Sequence, residues 1–333
     1  MLLYRELPQR TQTHRVARLP PILVLMLSPL AFELPAFLIG LLFGSFLNVC
    51  ISRLPKHQSI SKPRSHCPNC KKTIRWYDNV PLLSWIILRA RCRQCKAPIP
   101  WRYPAVELAI AIWFAGAAHY FRWLATATLP DDVLTTEGIA VIGLAILGFL
   151  LIGLLVMDWQ THKLPDAFTL TGTLIGFLLV CIQAIFLNPG QDDIKLTPRH
   201  DLRLSSPGSF VAKGNVFLTG PEHLVFGRIV AIAAAALLLL TIRAIYKAVR
   251  HREGLGLGDV KLLAMIAAFL GFWPAILALF AGVLLCMAYA ITLIAQRKAH
   301  SLTRLPLGTF IAIGGLIAAL FGTPLITWYT SLL

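Results

Sequence analysis

The sequence predicts an all-α polytopic membrane protein of about eight transmembrane helices, with a small polar domain between the first and the second. Three observations carry that expectation: the composition, the spacing of the apolar runs and the placement of charge. Of the 333 residues 57% are hydrophobic and 14% are charged, with a mean hydropathy of +0.70. Soluble domains carry about 25% charged residues, so an ordinary soluble globular class is excluded. A helix needs about 20 apolar residues to cross a hydrocarbon core of ~30 Å. Backbone groups in lipid must be satisfied within the segment, which makes a helical bundle the default.

Taken in order, the apolar runs lie at residues 34–51, 105–121, 139–157, 168–187, 225–245, 260–272, 275–295 and 307–325. The sixth is short, and Trp273-Pro274 reads as the turn that ends it. Residues 34–51 are the first transmembrane helix and 105–333 form the membrane-embedded core. Within that core 188–224 breaks the hydrophobic pattern. It is rich in Gly, Pro, Ser and Asp and reads as an insertion or linker.

Charge gives the sidedness. From Arg53 to Arg102 there are twelve Lys and Arg and one acid, Asp78. Basic residues near span ends mark the cytoplasmic face, so the domain at 52–104 is placed in the cytosol. Alternation then sets Asp131, Asp132, Glu137 and the 188–224 insertion outside. It sets Asp158, Lys163, the basic run 247–252, Arg297, Lys298 and Arg304 inside. The net charge of +16 is therefore read as topology and contact with anionic lipid headgroups. Arg5, Arg10, Arg15 and Arg18 fall on the outer side by the same parity. With the weak apolar run 20–32 they resemble a basic leader region. Residues 1–33 are set apart as an N-terminal extension, and Met26 is the expected native start.

Four of the seven cysteines stand as Cys67-Pro68-Asn69-Cys70 and, 21 residues later, Cys92-Arg93-Gln94-Cys95. Paired C-x₂-C knuckles at this separation are the pattern of a tetrahedral Cys₄ zinc site. Four protein ligands close the shell, so the zinc is structural. Two disulfides are the competing reading, and a cytosolic, reducing location disfavours them. The expected small domain is thus a cytosolic zinc-binding domain between helices 1 and 2. Cys50, Cys181 and Cys286 fall in apolar spans and read as packing residues. A basic zinc ribbon with Trp76, Tyr77, Trp85, Trp101 and Tyr103 also raises nucleic-acid stacking. The apolar run 80–88 among those aromatics fits a domain lying on the membrane interface better, and no nucleic-acid partner is expected.

Acids are scarce, which makes two of them informative. Asp158 ends the third span and Asp259 begins the sixth, both at the cytosolic boundary by the topology above. Ionisable groups at membrane depth are costly and functional by default. Two carboxylates brought together share a proton, giving one general base and one general acid able to activate water. Such a pair titrates as a unit, so neither role is assigned to either residue. Gly254, Gly256 and Gly258 precede Asp259 and let another chain approach closely. The structural alternative for Asp259 is an ordinary helix N-cap, and for Asp166 capping is the expected use. A transporter would also use intramembrane acids. A membrane-anchored zinc-ribbon module would leave both aspartates without a task.

These residues resemble the type IV prepilin peptidases, bifunctional leader peptidase/N-methyltransferases of the GxGD aspartic membrane proteases. The likeness is carried by Gly44-Ser45-Phe46-Leu47-Asn48-Val49-Cys50 with Arg53-Leu54-Pro55, and by the two cysteine knuckles. It extends through Trp76 to Trp85, Arg102-Tyr103-Pro104-Ala105-Val106-Glu107, Leu164-Pro165-Asp166 and Gly256-x-Gly258-Asp259. Pro306-Leu307-Gly308-Thr309-Phe310 resembles the family's C-terminal motif with substitutions. The resemblance runs from about residue 34 to the end. It implies a multi-pass protein of the bacterial inner membrane that cleaves type IV prepilins and type II secretion pseudopilins, with Asp158 and Asp259 catalytic. It implies S-adenosylmethionine-dependent methylation of the new N-terminus, a site the sequence does not place. Glu107 and the cysteine domain are the nearest candidates for it.

Overall fold

The computed structural model describes residues 29–126, 131–186, 221–251, 255–297 and 305–332. The expected start at Met26, the insertion up to residue 220 and Gly254 lie outside the described residues. Within them the chain forms nine α-helices: α1 (Pro29–Arg53), α2 (Leu83–Ile87), α3 (Arg102–Thr126), α4 (Asp131–Thr161), α5 (Asp166–Phe186), α6 (Pro221–Arg250), α7 (Leu257–Leu270), α8 (Phe272–Ala295) and α9 (Leu307–Ser331). There is no strand among them, only isolated bridges in the cysteine domain.

Each of the eight apolar runs becomes a helix. Seven are long and apolar enough to cross a membrane, over 21 to 29 residues, and the protein is a multi-pass membrane protein. The eighth, α7, has 14 residues, about 21 Å at 1.5 Å per residue and short of the ~30 Å core. After Lys261 it is apolar all round, and such a helix belongs at the centre of a bundle. Leu262, Leu263, Met265, Ile266, Ala267 and Ala268 are wholly buried. The chain leaves α7 at Gly271, whose φ of +91° suits a residue without Cβ. Trp273-Pro274, read from sequence as the turn, instead lies in the first turn of α8. Proline costs no hydrogen bond there, because that N–H has no helical partner.

Close crossings tie the outer helices in pairs. A Cβ on Gly40 or Gly44 of α1 would come within 2.6 Å of the Cα of Ala111 or Glu107 in α3. A Cβ on Gly314 of α9 would lie 2.1 Å from the Ala278 carbonyl oxygen of α8. Lipid gives no hydrophobic drive between helices, so small residues that let backbones meet supply van der Waals contact instead. The indole of Trp113 donates to the Leu144 carbonyl at 2.9 Å, joining α3 to α4.

Helix periodicity delivers the acids to the interior. On α4 the wholly buried Leu147, Leu151 and Leu154 recur at three- and four-residue steps, and the next position on that stripe is Asp158. On α7 Asp259 shares a face with Leu262, Leu263 and Ile266, three, four and seven residues on. Both aspartates are 9% exposed or less. The end of α4 and the beginnings of α3, α7 and α9 meet at one end of the bundle, where Arg102 of α3 hydrogen-bonds Gln160 of α4.

Candidate active site

Asp158 and Asp259 converge on Gly308. A Cβ built there would lie 3.0 Å from Asp158 Oδ2, 3.0 Å from Asp259 Oδ1 and 2.8 Å from Leu164 Cδ1. The two carboxylates therefore border the same small space, which exists because residue 308 has no side chain. Thr309, the third residue of α9, donates its backbone N–H to Asp158 Oδ2 at 2.7 Å and its hydroxyl to the same oxygen at 3.0 Å. That N–H is one of the helix-start donors with no intrahelical partner. Among the described residues Asp259 receives one donor, the Gly256 N–H, at 3.3 Å to Oδ2. Asp259 is thus the third residue of α7 rather than its N-cap, and reaches back to the residue that is.

The neighbouring residues serve this arrangement. The side of Gly258 that a Cβ would occupy is taken by Leu164 of the same chain, at 3.0 Å, so that glycine admits the chain's own loop rather than a second chain. Gly256 meets only Asp259 and Gly258 on its open side. Asp166 begins α5, and its carboxylate stands 2.6 Å from Lys261 Nζ. The acid expected to cap its own helix is used to tie α5 to α7 beside Asp259.

A second polar cluster lies at the same end. Glu107 is 8% exposed, in the second turn of α3, and accepts the Leu82 backbone N–H at 2.8 Å. Asn48 of α1 donates to the Tyr103 carbonyl at 3.0 Å. The first bond seats the segment before α2 against α3, and the second ties α1 to α3. The family-like residues in 44–48 and 102–107 thus meet one another, and the cysteine domain is fastened to the bundle.

The four cysteines come together. Their sulfurs all lie within 4.8 Å of one another, with Cys67 and Cys95 Sγ 3.7 Å apart. The edge of a ZnS₄ tetrahedron with 2.3 Å bonds is about 3.8 Å, so the donor set fits zinc. The two knuckles repeat one geometry. Cys67 N–H donates to Lys72 O and Lys71 N–H to Cys67 O, while Cys92 N–H donates to Ala97 O and Lys96 N–H to Cys92 O. Lys71 and Lys96 each adopt a φ just below +60°. Backbone N–H groups aim at the sulfurs. The Ala97 N–H holds the Cys95 thiol down to about 6, and the Cys70 N–H lowers Cys67. Asp78, the one acid between Arg53 and Arg102, takes a bidentate Arg93 with its shortest contact at 2.6 Å. That hydrogen bond holds its carboxyl below the ordinary carboxylate range and links the Trp76–Asn79 turn to the second knuckle. A zinc held there would have no catalytic part beside the aspartates, because a closed thiolate shell has no place for a reacting water.

Comparison with known proteins agrees with this layout. Residues 38–121 match the family described as the bacterial peptidase A24 N-terminal domain, and residues 208–291 match the type IV leader peptidase family. Asp259 lies in the second match and Asp158 between the two. The chain is 30% identical to a prepilin leader peptidase/N-methyltransferase of Stutzerimonas stutzeri, over 93% of this chain and 97% of that protein. It is 30% identical to the one of Aeromonas hydrophila, over 88% and 92%. For the one of Pseudomonas aeruginosa the figures are 29%, 90% and 94%. No solved structure matches.

Proposed function

The chain belongs to the type IV leader peptidase family, and on that footing we propose that it cleaves the leader from type IV prepilins and pseudopilins and methylates the N-terminus so exposed. Asp158 and Asp259 are the catalytic pair. The observation that carries this is their common approach to Gly308, each with a carboxylate oxygen 3.0 Å from the position of its missing Cβ. With one proton between them, the ionised carboxylate takes a proton from water as its oxygen attacks the scissile carbonyl carbon. The protonated carboxyl gives its proton to the carbonyl oxygen. The resulting gem-diol breaks down as one diol proton returns to a carboxylate and the other aspartate's newly gained proton passes to the departing nitrogen. A carboxylic acid and an amine are the products, and the pair regains its single shared proton.

We put this end of the bundle on the cytosolic face of a bacterial inner membrane, a sidedness that the basic charge of the cysteine domain supports. The domain, residues 52–104, is a platform beside the site whose zinc holds the two knuckles together. S-adenosylmethionine is a substrate of the second reaction and supplies the methyl group to the new amine. The first test is cleavage of a prepilin in membranes by Asp158→Asn and Asp259→Asn variants. Both are expected to lose processing, and parent-like processing by either one overturns the mechanism.

A further inference from the structure

The two aspartates are not equivalent, and the difference lies in Thr309. Asp158 Oδ2 receives two donors from that one residue, at 2.7 Å and 3.0 Å, in a buried position. Among the described residues Asp259 receives one, at 3.3 Å. Each carboxylate also faces a helix N-terminus, Asp259 that of α7 and Asp158 that of α9. Asp158 also lies in the last turn of α4, whose negative end opposes its charge, so the dipoles do not make it the anion. The extra hydroxyl and the shorter bonds do. Hydrogen bonds to a charged acceptor are about twice as strong as neutral ones, and two donors on one oxygen favour its ionised form.

We infer that Thr309 is a positioning residue that keeps Asp158 as the ionised member of the pair, so that Asp158 is the base toward water and Asp259 carries the shared proton. The inference rests on the peptidase reading above. In the first step a water O–H bond breaks, its proton goes to Asp158 and the hydroxide oxygen bonds to the scissile carbonyl carbon. In the same step the Asp259 proton goes to the carbonyl oxygen. Once Asp158 is protonated, the Thr309 hydroxyl has a second acceptor within reach, the Leu155 carbonyl oxygen at 3.3 Å. The hydroxyl can follow the charge, so neither protonation state leaves it without an acceptor. When Asp158 gives its proton to the departing amine, the hydroxyl turns back.

The test uses the full chain in vesicles with a synthetic prepilin. Thr309→Val keeps the shape and the backbone N–H and removes only the hydroxyl, and Thr309→Ser keeps both donors. For Thr309→Val, kcat for cleavage is expected to fall roughly tenfold to a hundredfold, the size of a hydrogen bond to a charged group. KM is expected to stay within about twofold, because the bond sets which aspartate is ionised and does not touch the substrate. Thr309→Ser is expected to stay within about threefold of the parent in kcat. Methyl transfer to a pilin already cleaved reports on folding and is expected to be unchanged in both. An unchanged kcat in Thr309→Val, with Asp158→Asn inactive, overturns the inference and leaves the peptidase reading standing. Loss of methyl transfer together with cleavage also overturns it, since Thr309 would then serve the fold as a whole. Parent-like cleavage by Asp158→Asn removes the two-aspartate mechanism on which the inference rests.

Discussion

The backbone N–H of Leu82 donates to the Glu107 carboxylate across 2.8 Å, and this bond ties the cysteine domain to the second spanning helix. It also explains how Leu82 holds an unfavourable backbone, with φ 56° and ψ −50° immediately before α2. A non-glycine residue in such a region costs about 1–3 kcal/mol and persists only where its surroundings hold it. Glu107→Ala is expected to orphan the N–H at a cost of about 1–3 kcal/mol. The segment 80–90 should then be cut faster in limited proteolysis, while Glu107→Gln, which keeps an acceptor oxygen, should remain near the parent. Equal cutting rates for Glu107→Ala and the parent would remove the latch from this account.

Gly308 gives the second prediction. Its missing Cβ leaves the space on which both aspartates border, so Gly308→Ala puts a methyl 3.0 Å from each carboxylate and 2.8 Å from Leu164. Leu164 can turn aside, but the carboxylates cannot move without losing their geometry. A displacement of about 1 Å in a catalytic group costs about a hundredfold in rate. Cleavage is expected to fall by at least that factor, with the variant still inserted in the membrane and loaded with metal. Wild-type turnover in Gly308→Ala would show that the carboxylates do not act from the positions seen here.

Much of this was legible from the chain alone, and the reasons are physical. Apolar runs of membrane length can only become helices, so the eight elements followed from hydropathy, and C-x₂-C spacing leaves sulfurs little choice but to meet. The aspartates stood out because charge at membrane depth is rare. Thr309 and Gly308 were visible only as part of a family-like motif. A threonine at a helix start has no signature that tells a ligand of a distant carboxylate from an ordinary cap. Their contacts with Asp158 cross 151 positions or nearly so, and only packing brings them together. The same holds for Gly258, whose sequence context suggested room for a second chain and whose open side is filled by Leu164. The turn placed at Trp273-Pro274 moved to Gly271 because proline is tolerated at a helix start and glycine alone suits that φ.

The cysteine cluster should bind one zinc per chain, measurable by metal analysis of the purified protein. Cys95→Ser is expected to abolish that stoichiometry, because serine is a far poorer zinc ligand than a thiolate. The knuckles are linked across the domain by Asp78–Arg93 and by Lys72–Gln94 at 3.3 Å. Loss of the metal should therefore loosen 52–104 as a unit, read as rapid proteolysis within it. The spanning helices bury their own faces and should remain folded. Methylation is expected to fall with the domain while cleavage persists, since neither aspartate touches it. Simultaneous loss of both activities in a variant still inserted in the membrane would mean that the domain shapes the peptidase site as well.

The α8–α9 crossing bears directly on the proposed active site, because α9 carries Gly308 and Thr309. Its tightest point is Gly314, where an added Cβ would fall 2.1 Å from the Ala278 carbonyl oxygen and 2.9 Å from the Gly282 nitrogen. Both of those are backbone atoms, so no side chain can give way and the helices must separate. Overpacking of this kind costs about 1–3 kcal/mol or more. Gly314→Ala is expected to lower the thermal midpoint in detergent. By shifting the start of α9 it should also lower cleavage, although Gly314 lies more than a helical turn from either aspartate. Gly322→Ala, on the same helix with only Pro274 side-chain atoms beyond 3.5 Å, is the matched control and should change neither. A Gly314→Ala variant that melts early yet cleaves at the parent rate would show that α9 does not transmit this crossing to Thr309.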